Sequence, residues 1–304
     1  MIESILLTIV TAATPLLIAA LGELVAERSG VLNLGVEGMM AIGAVCGFAA
    51  ALETGSPAIG VLAAVAGGMI AAALFGVVTL VFVANQVASG LALTLFGLGV
   101  SGMLGAAYVG RPGVRLASLD LPVLSDLPLV GRLVFGLDAI TYIGIALAIA
   151  VWFFLFRTRG GLVLRAVGDS HSSAHALGYK VLRVRFLAVL FGGACAGLAG
   201  GYLSLVYTPQ WAQAMTAGRG WIALALVVFA TWLPGRVALG ALLFGTVSIM
   251  QLHAQAFGVG IPSQFLSMLP YLTTILVLVI ISRNRTLLRI NTPACLGQPF
   301  VPDR

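Results

Sequence analysis

The chain has 304 residues, of which 60% are hydrophobic and only 9% charged, with a formal net charge of +6. Soluble domains carry about a quarter charged residues, so this composition excludes a water-soluble globular fold and points to an integral membrane protein of several helices. The 38 glycines agree with that, because glycine lets membrane helices approach one another closely.

Taken in chain order, the apolar runs predict spans at roughly 4–21, 31–52, 58–83, 87–110, 138–156, 185–207, 219–233, 236–256 and 264–282. The first, "MIESILLTIV", has no basic leader and no small-residue cleavage site, and reads as an uncleaved span. The second opens on "SGVLNLGVEGMM" (29–40), which sets Asn33 and Glu37 inside an apolar run. Four residues apart on a helix, they would share one face. Two readings stay open for them: a polar seam lining a path, or a buried hydrogen-bonded knot. Glycine pairs four apart, Gly43/Gly47, Gly193/Gly197 and Gly197/Gly201, predict tight helix crossings.

The long stretch 111–137, with Pro112, Pro122, Pro128 and balanced charges, reads as an ordered cap on one face of the membrane. The basic stretch 157–184 sets the orientation. With it in the cytoplasm, Arg28, Arg157, Arg159, Arg165, Lys180, Arg183, Arg185, Arg236, Arg283, Arg285, Arg289 and Arg304 share that side, against Arg111, Arg115, Arg132 and Arg219 outside. This follows the positive-inside rule and puts the tail, 283–304, in the cytoplasm.

No catalytic or metal constellation emerges. "GLGVSG" (97–102) matches G-x-G-x-x-G but lies in an apolar span with no strand before it. The single lysine, Lys180, is not in a Walker A setting, so the chain has no P-loop of its own. His171 and His175 lack a third ligand and read as a solvated helix face. Cys46, Cys195 and Cys295 are far apart. His253 with "VASG" (87–90), and Asp120 with Asp126, do not assemble a protease or a magnesium site.

Within 157–184, Asp169 or Ser170 can cap a short helix "SHSSAHAL" that Gly178 closes in the left-handed conformation. Ala174 and Leu177, three apart, are expected to share its apolar face as a docking knob. Polar residues that interrupt the spans are candidates for lining a path for a polar solute: Asn33, Glu37, Gln86, Ser89, Thr94, Tyr207, Trp211 and Gln251. Few of them are charged, which suits a neutral solute.

The stretch "LRAVGDSHSSAHALGYKVLRVRF", with "ERSGVLNLGVEGMMAIGA", "MTAGRGWIALALVVFATWLPGRVALGALLFG" and the tail "LGQPFVP", resembles the permease subunits of bacterial ABC importers of the branched-chain amino acid and simple-sugar group. Within that group it looks like the nucleoside-type permeases that work with a basic-membrane-protein-like binding lipoprotein. The resemblance covers nearly the whole chain. It implies an all-α polytopic bundle of about 8–10 spans, a single transmembrane permease domain over 1–304, located in the bacterial inner membrane. It also implies a second permease subunit, a cytoplasmic ATPase that binds the Mg-ATP (none being bound by this chain), and an extracytoplasmic binding protein. Arg165, Asp169, Ala174, Leu177 and Gly178 would belong to the coupling helix that seats in the ATPase. The family often has a proline after "RAVG"; this chain has "DSHSS" instead, so its local turn differs. The expected solute is a nucleoside, with a simple sugar or a branched-chain amino acid as alternatives. A stand-alone secondary transporter is the reading from another class; it would need intramembrane acids for ion coupling, and Glu37 is the one convincing case.

Overall fold

The computed structural model describes residues 2–117, 119, 135–256, 262–282 and 291–301. Their regular structure is helical. α1 (Ile2–Arg28), α2 (Val36–Thr54), α3 (Pro57–Gly76) and α4 (Gln86–Gly105) form the first half. α5 (Ala139–Arg157), α6 (Arg159–Asp169), α7 (His171–Ala176) and α8 (Val181–Tyr202) follow. α9 (Arg219–Phe229), α10 (Pro234–Ala256), α11 (Ser263–Ser267) and α12 (Leu269–Ser282) complete it. Among the described residues, seven helices are long and apolar enough to cross a membrane, and Arg219–Phe229 and Gln264–Val277 are shorter apolar helices. The expected spans thus appear in place, but not all are full length. Most of the 111–137 cap and much of the 283–304 tail lie outside the described residues.

Local chemistry sets the boundaries. Asn85 caps α4 by accepting from the Ala88 N–H at 3.0 Å, Asp138 caps α5 through the Thr141 N–H at 2.9 Å, and Thr158 caps α6 through the Gly161 N–H at 3.1 Å. Pro57 opens α3 in the first turn, where its missing N–H costs nothing. α1 is the clearest departure from the sequence reading. It does not stop near residue 21 but continues through "GELVAER" to Arg28. Glu23 and Glu27 are buried there, and each finds a partner on another segment.

The core lies where α1, α2, α3 and α8 meet. The predicted glycine pairs sit at these crossings. A Cβ on Gly43 would overlap Gly197, one on Gly200 would overlap the Met40 carbonyl, and one on Gly68 would overlap the Gly193 carbonyl. Such backbone contact is how membrane helices gain dispersion energy without a hydrophobic driving force between them. The outer faces of α3, α4 and α5 present Leu62, Ile70, Leu95, Phe96, Ile149 and Phe153 outward, as a lipid-facing or subunit-facing surface requires.

Arg28 and Arg185 meet at one end of the bundle, the basic end. Arg28 contacts Trp232, Gly168 packs on the Arg28 carbonyl, and Arg185 reaches Ser29, so the ends of α1, α6 and α9 and the start of α8 are neighbours.

Candidate functional site

Two stretches of irregular backbone enter the bundle interior, and most of the predicted path residues are found around them. The first is Val31–Gly35, between α1 and α2. Its backbone groups have no ladder to join, so side chains satisfy them. The Leu32 N–H donates to Gln86 Oε1 at 2.9 Å, and the Asn33 N–H to Glu23 Oε1 at 3.1 Å. The Gly35 N–H donates to Asn33 Oδ1 at 2.9 Å, and the Leu34 carbonyl accepts from Thr94 Oγ1 at 2.9 Å. Buried backbone polar groups need such partners in a membrane interior. Asn33 therefore precedes α2, and the expectation that it shares a helical face with Glu37 is corrected: the helix begins only at Val36.

The second stretch is Thr208–Gly218, which leads into α9. α9 has 11 residues, a length of about 16 Å, roughly half of a bilayer core. It is a half-helix where the sequence suggested a span of 219–233. Its entrance is built on left-handed backbone at Ala214, Ala217 and Gly218, and its exit on left-handed backbone at Thr231 and Trp232. Residues other than glycine hold this conformation only where their surroundings impose it.

Glu37 is the surrounding group at the entrance. Its Oε1 accepts from the Thr216 hydroxyl at 2.6 Å and from the Gly218 N–H at 2.8 Å. Its Oε2 accepts from the Gly220 N–H at 2.6 Å. One carboxylate thus covers the first free N–H groups of α9 while sitting in the first turn of its own helix, α2. Two positive helix ends converge on it, which is where a buried negative charge is least costly. The residue next to it, Gly38, packs against Leu93, Thr94 and Gly97. Gly97 is about 16 Å along α4 from its start at Gln86, so the junction lies near mid-membrane. Broken helices whose N-termini meet in the interior are a recurring device of transporters.

α1 holds the other end of α9. The Trp232 indole N–H donates to Glu27 Oε2, and Arg28 donates to the Trp232 carbonyl from Nε at 3.2 Å and from Nη2 at 2.9 Å. A cation at a helix C-terminus complements the anion at its N-terminus. The half-helix is suspended between the end of α1 and the start of α2, so both anchors come from one sequence stretch, 27–37. Glu23 and Glu27 were missed by the sequence reading, which placed them in a loop.

The remaining path candidates divide. Trp211 is buried, packed with Val45 and Phe48 and pressed on Gly105, and its indole N–H has no partner among the described residues. It offers no open ring face for stacking. Tyr207 is half-buried, with the Arg219 guanidinium 5.2 Å above its ring. Arg219 also donates to the Met215 carbonyl at 3.1 Å, so it lies at the half-helix entrance. Ser89 lines a groove of about 250 Å³ between α3 and α4 with Leu74, Phe75, Val78 and Phe96. Gln251 bonds Ser267 at 3.4 Å, at the α10–α11 turn, and joins none of the others.

At the basic end, α6 and α7 form the expected knob, with one correction. Ser170 caps α7 by accepting from the Ser173 N–H at 3.3 Å, and Gly178 turns the chain back with φ of +87°. Ala174 and Leu177 do not share a docking face. Ala174 is buried with Val167, Val181 and Phe300, while Leu177 is 78% exposed beyond the helix end. Asp169 is exposed, and Arg165 stacks its guanidinium 5.1 Å over the Phe156 ring. Leu177, Gly178 and Tyr179 form the tip.

The tip is seated on a clamp that the sequence did not reveal. Arg185 is fully buried. It donates from Nε to the Ser29 carbonyl at 3.1 Å, from Nη1 to the Gln298 carbonyl at 3.0 Å, and from Nη2 to His171 Nδ1 at 3.2 Å. Arginine is permanently charged, so His171 must be neutral to accept. Burial, and then the Arg185 charge, hold the His171 pKa below its ordinary value. Phe300 from the tail fills the space between the His171 and His175 rings, at 5.2 and 5.4 Å. The tail backbone adds the Cys295 N–H to Gly168 and the Gly297 N–H to Gly30.

Comparisons with known proteins place the chain in a family. Residues 5–280 match the family described as "Branched-chain amino acid transport system / permease component". A putative glucose ABC transporter permease protein of Haloferax volcanii is 40% identical over 313 aligned residues, covering 96% of this chain and 95% of that one. A guanosine ABC transporter permease protein of Bacillus subtilis is 32% identical over 306 residues, covering 96% and 94%. A nucleoside ABC transporter permease protein of Lactococcus lactis is 33% identical over 279 residues, covering 88% of each chain. No solved structure matches the chain.

Proposed function

The chain belongs to the permease family of branched-chain amino acid transport systems, and from that premise we propose that it forms the membrane path of an ATP-driven importer for a nucleoside. It is a transport subunit, not an enzyme. In such an importer ATP and magnesium would bind a separate cytoplasmic ATPase, since this sequence carries no P-loop motif of its own. A second permease subunit completes the path, and an extracytoplasmic binding lipoprotein delivers the solute. The basic end is cytoplasmic, as the positive-inside rule asks.

The observation that carries the proposal is the tip Leu177–Gly178–Tyr179. A large apolar side chain stands exposed at the basic end, on a short helix whose other face is clamped to α1, α8 and the tail. A rigid knob of this kind suits a partner that must push on the bundle. The nucleoside assignment draws on the guanosine and nucleoside permeases among the relatives. The glucose permease favours a monosaccharide as the second reading. Both solutes are neutral and present sugar hydroxyls, which suits an interior where the carboxylate at the α2–α9 junction, Glu37, already receives three hydrogen bonds. That same saturation speaks against ion coupling through Glu37, and Glu27 is likewise engaged by Trp232, whereas Glu23 keeps one buried carboxylate oxygen without a partner among the described residues.

The test is Gly178→Val. Gly178 is left-handed with open space around it, so the substitution strains the turn by about 1–2 kcal/mol without a clash. Uptake by the complete transporter is expected to fall about tenfold or more, while its ATP hydrolysis continues and the protein remains folded. Unchanged uptake would remove the tip from the coupling pathway.

A further inference from the structure

Beyond the transport path, the geometry points to a second site, in which one acyl chain of an anionic phospholipid lies in a groove between α1, α5, α6 and α8 and its phosphate is held by Arg159 and Arg183. The groove encloses about 490 Å³ and is lined by Val25, Ala150, Phe154, Val163 and Leu187, among others, all apolar or glycine. That volume is typical of a small-molecule site, but the lining carries no side chain able to fix a polar solute.

Position and charge select the occupant. α1, α5 and α8 are span-length helices, so the groove opens sideways into the hydrocarbon region near the basic end. The lining stripes run at helical spacing: Leu147, Val151 and Phe154 on α5, and Val184, Leu187 and Phe191 on α8. Arg183 stands four residues before Leu187 and next to Val184, and Arg159 four before Val163 and next to Gly160, so each lies on or beside the lining face of its own helix. Both arginines are exposed, and neither has a hydrogen-bond or ion-pair partner among the described residues. An apolar slot with an exposed, unpartnered arginine beside its lining on each of two helices matches an acyl chain that ends in a phosphate. A neutral lipid could fill the slot but would leave the arginines without an anion. A helix of another protein would need acids at this depth.

The site also bears on coupling. Gly160, Val163 and Leu164 form one wall, and they belong to α6, which runs directly into α7 and the tip. A bound chain braces that wall.

The experiment uses the full-length chain in detergent, titrated with phosphatidylglycerol or phosphatidylcholine and read by native mass spectrometry. Wild type is expected to retain phosphatidylglycerol in preference to phosphatidylcholine. Arg159→Gln with Arg183→Gln should weaken phosphatidylglycerol binding by about 30-fold and phosphatidylcholine binding much less, since its own ammonium already offsets its phosphate. Ala150→Trp, which fills an exposed part of the groove, should lower retention of both lipids. Helical circular dichroism and elution volume, unchanged in each variant, separate loss of the site from misfolding. Equal retention of the two lipids by wild type, or undiminished phosphatidylglycerol on either variant, would overturn the assignment. Displacement by soluble glycerol phosphate alone would also overturn it, since the groove would then contribute nothing.

Discussion

Glu37→Ala is expected to abolish uptake and to destabilise the chain by more than about 3 kcal/mol, because hydrogen bonds to a charged group contribute about 1.5–3 kcal/mol each and this carboxylate receives three. The alanine variant leaves the Gly218 and Gly220 N–H groups buried without an acceptor, at the positive end of a half-helix. Glu37→Gln keeps an oxygen for Thr216 and Gly218 but sets an NH2 against the Gly220 N–H, and should cost about 1–3 kcal/mol. Thr216→Val removes one bond and should cost least. Thermal unfolding of the three variants in detergent checks the order alanine, glutamine, valine. If Glu37→Gln lost uptake with no fall in stability, Glu37 would be touching the solute instead of holding α9.

Arg185→Leu is expected to free the tip at Leu177–Tyr179, the proposed contact with the ATPase. It leaves the Ser29 and Gln298 carbonyls unpaired, at about 1–3 kcal/mol apiece, and separates His171 and the tail from α8. Proteolysis within 291–301 should quicken, and uptake should fall while ATP hydrolysis persists. The same contact gives the wild type a pH response. The His171 pKa is lowered from 6.5, so above that value the ring is neutral in the docked and the free tip alike, and docking is unaffected. As pH falls below 6.5, the free tip takes up a proton more readily than the docked one, and docking weakens. A protonated His171 would face Arg185, with Asp169 two residues away and His175 beyond Phe300. Uptake should therefore decline from about pH 7 to pH 5, and His171→Gln, which keeps an acceptor and cannot titrate, should flatten the profile. A profile identical in the two proteins would dissociate this contact from coupling.

The spans were legible in the sequence because about 20 apolar residues in a row have few alternatives to a membrane helix. The crossings were legible because glycines four apart leave a groove on one helix face. What was not legible depended on partners distant in sequence. α1 passes residue 21 because Glu23 meets the Asn33 backbone and Glu27 meets Trp232, and composition scores both acids as loop residues. Glu37 read as ambiguous between a path and a knot because its partners, Thr216 to Gly220, lie about 180 positions away. Three of the polar residues picked out as a path, Asn33, Gln86 and Thr94, bond the irregular backbone of 32–35. A polar side chain in a span announces that something needs a hydrogen bond, without saying whether it is solute or backbone. Likewise, spacing put Ala174 and Leu177 on one face, but Phe300 from the tail covers Ala174.

The most direct measurement is uptake of a labelled nucleoside by cells that lack their own nucleoside import and express this chain with the ATPase, second permease and binding protein proposed for it. Uptake should depend on ATP, persist when ion gradients are collapsed, vanish when this chain is omitted, and resist competition by excess glucose or leucine. Uptake of glucose or leucine in place of the nucleoside, or uptake that follows an ion gradient instead of ATP, would contradict the account.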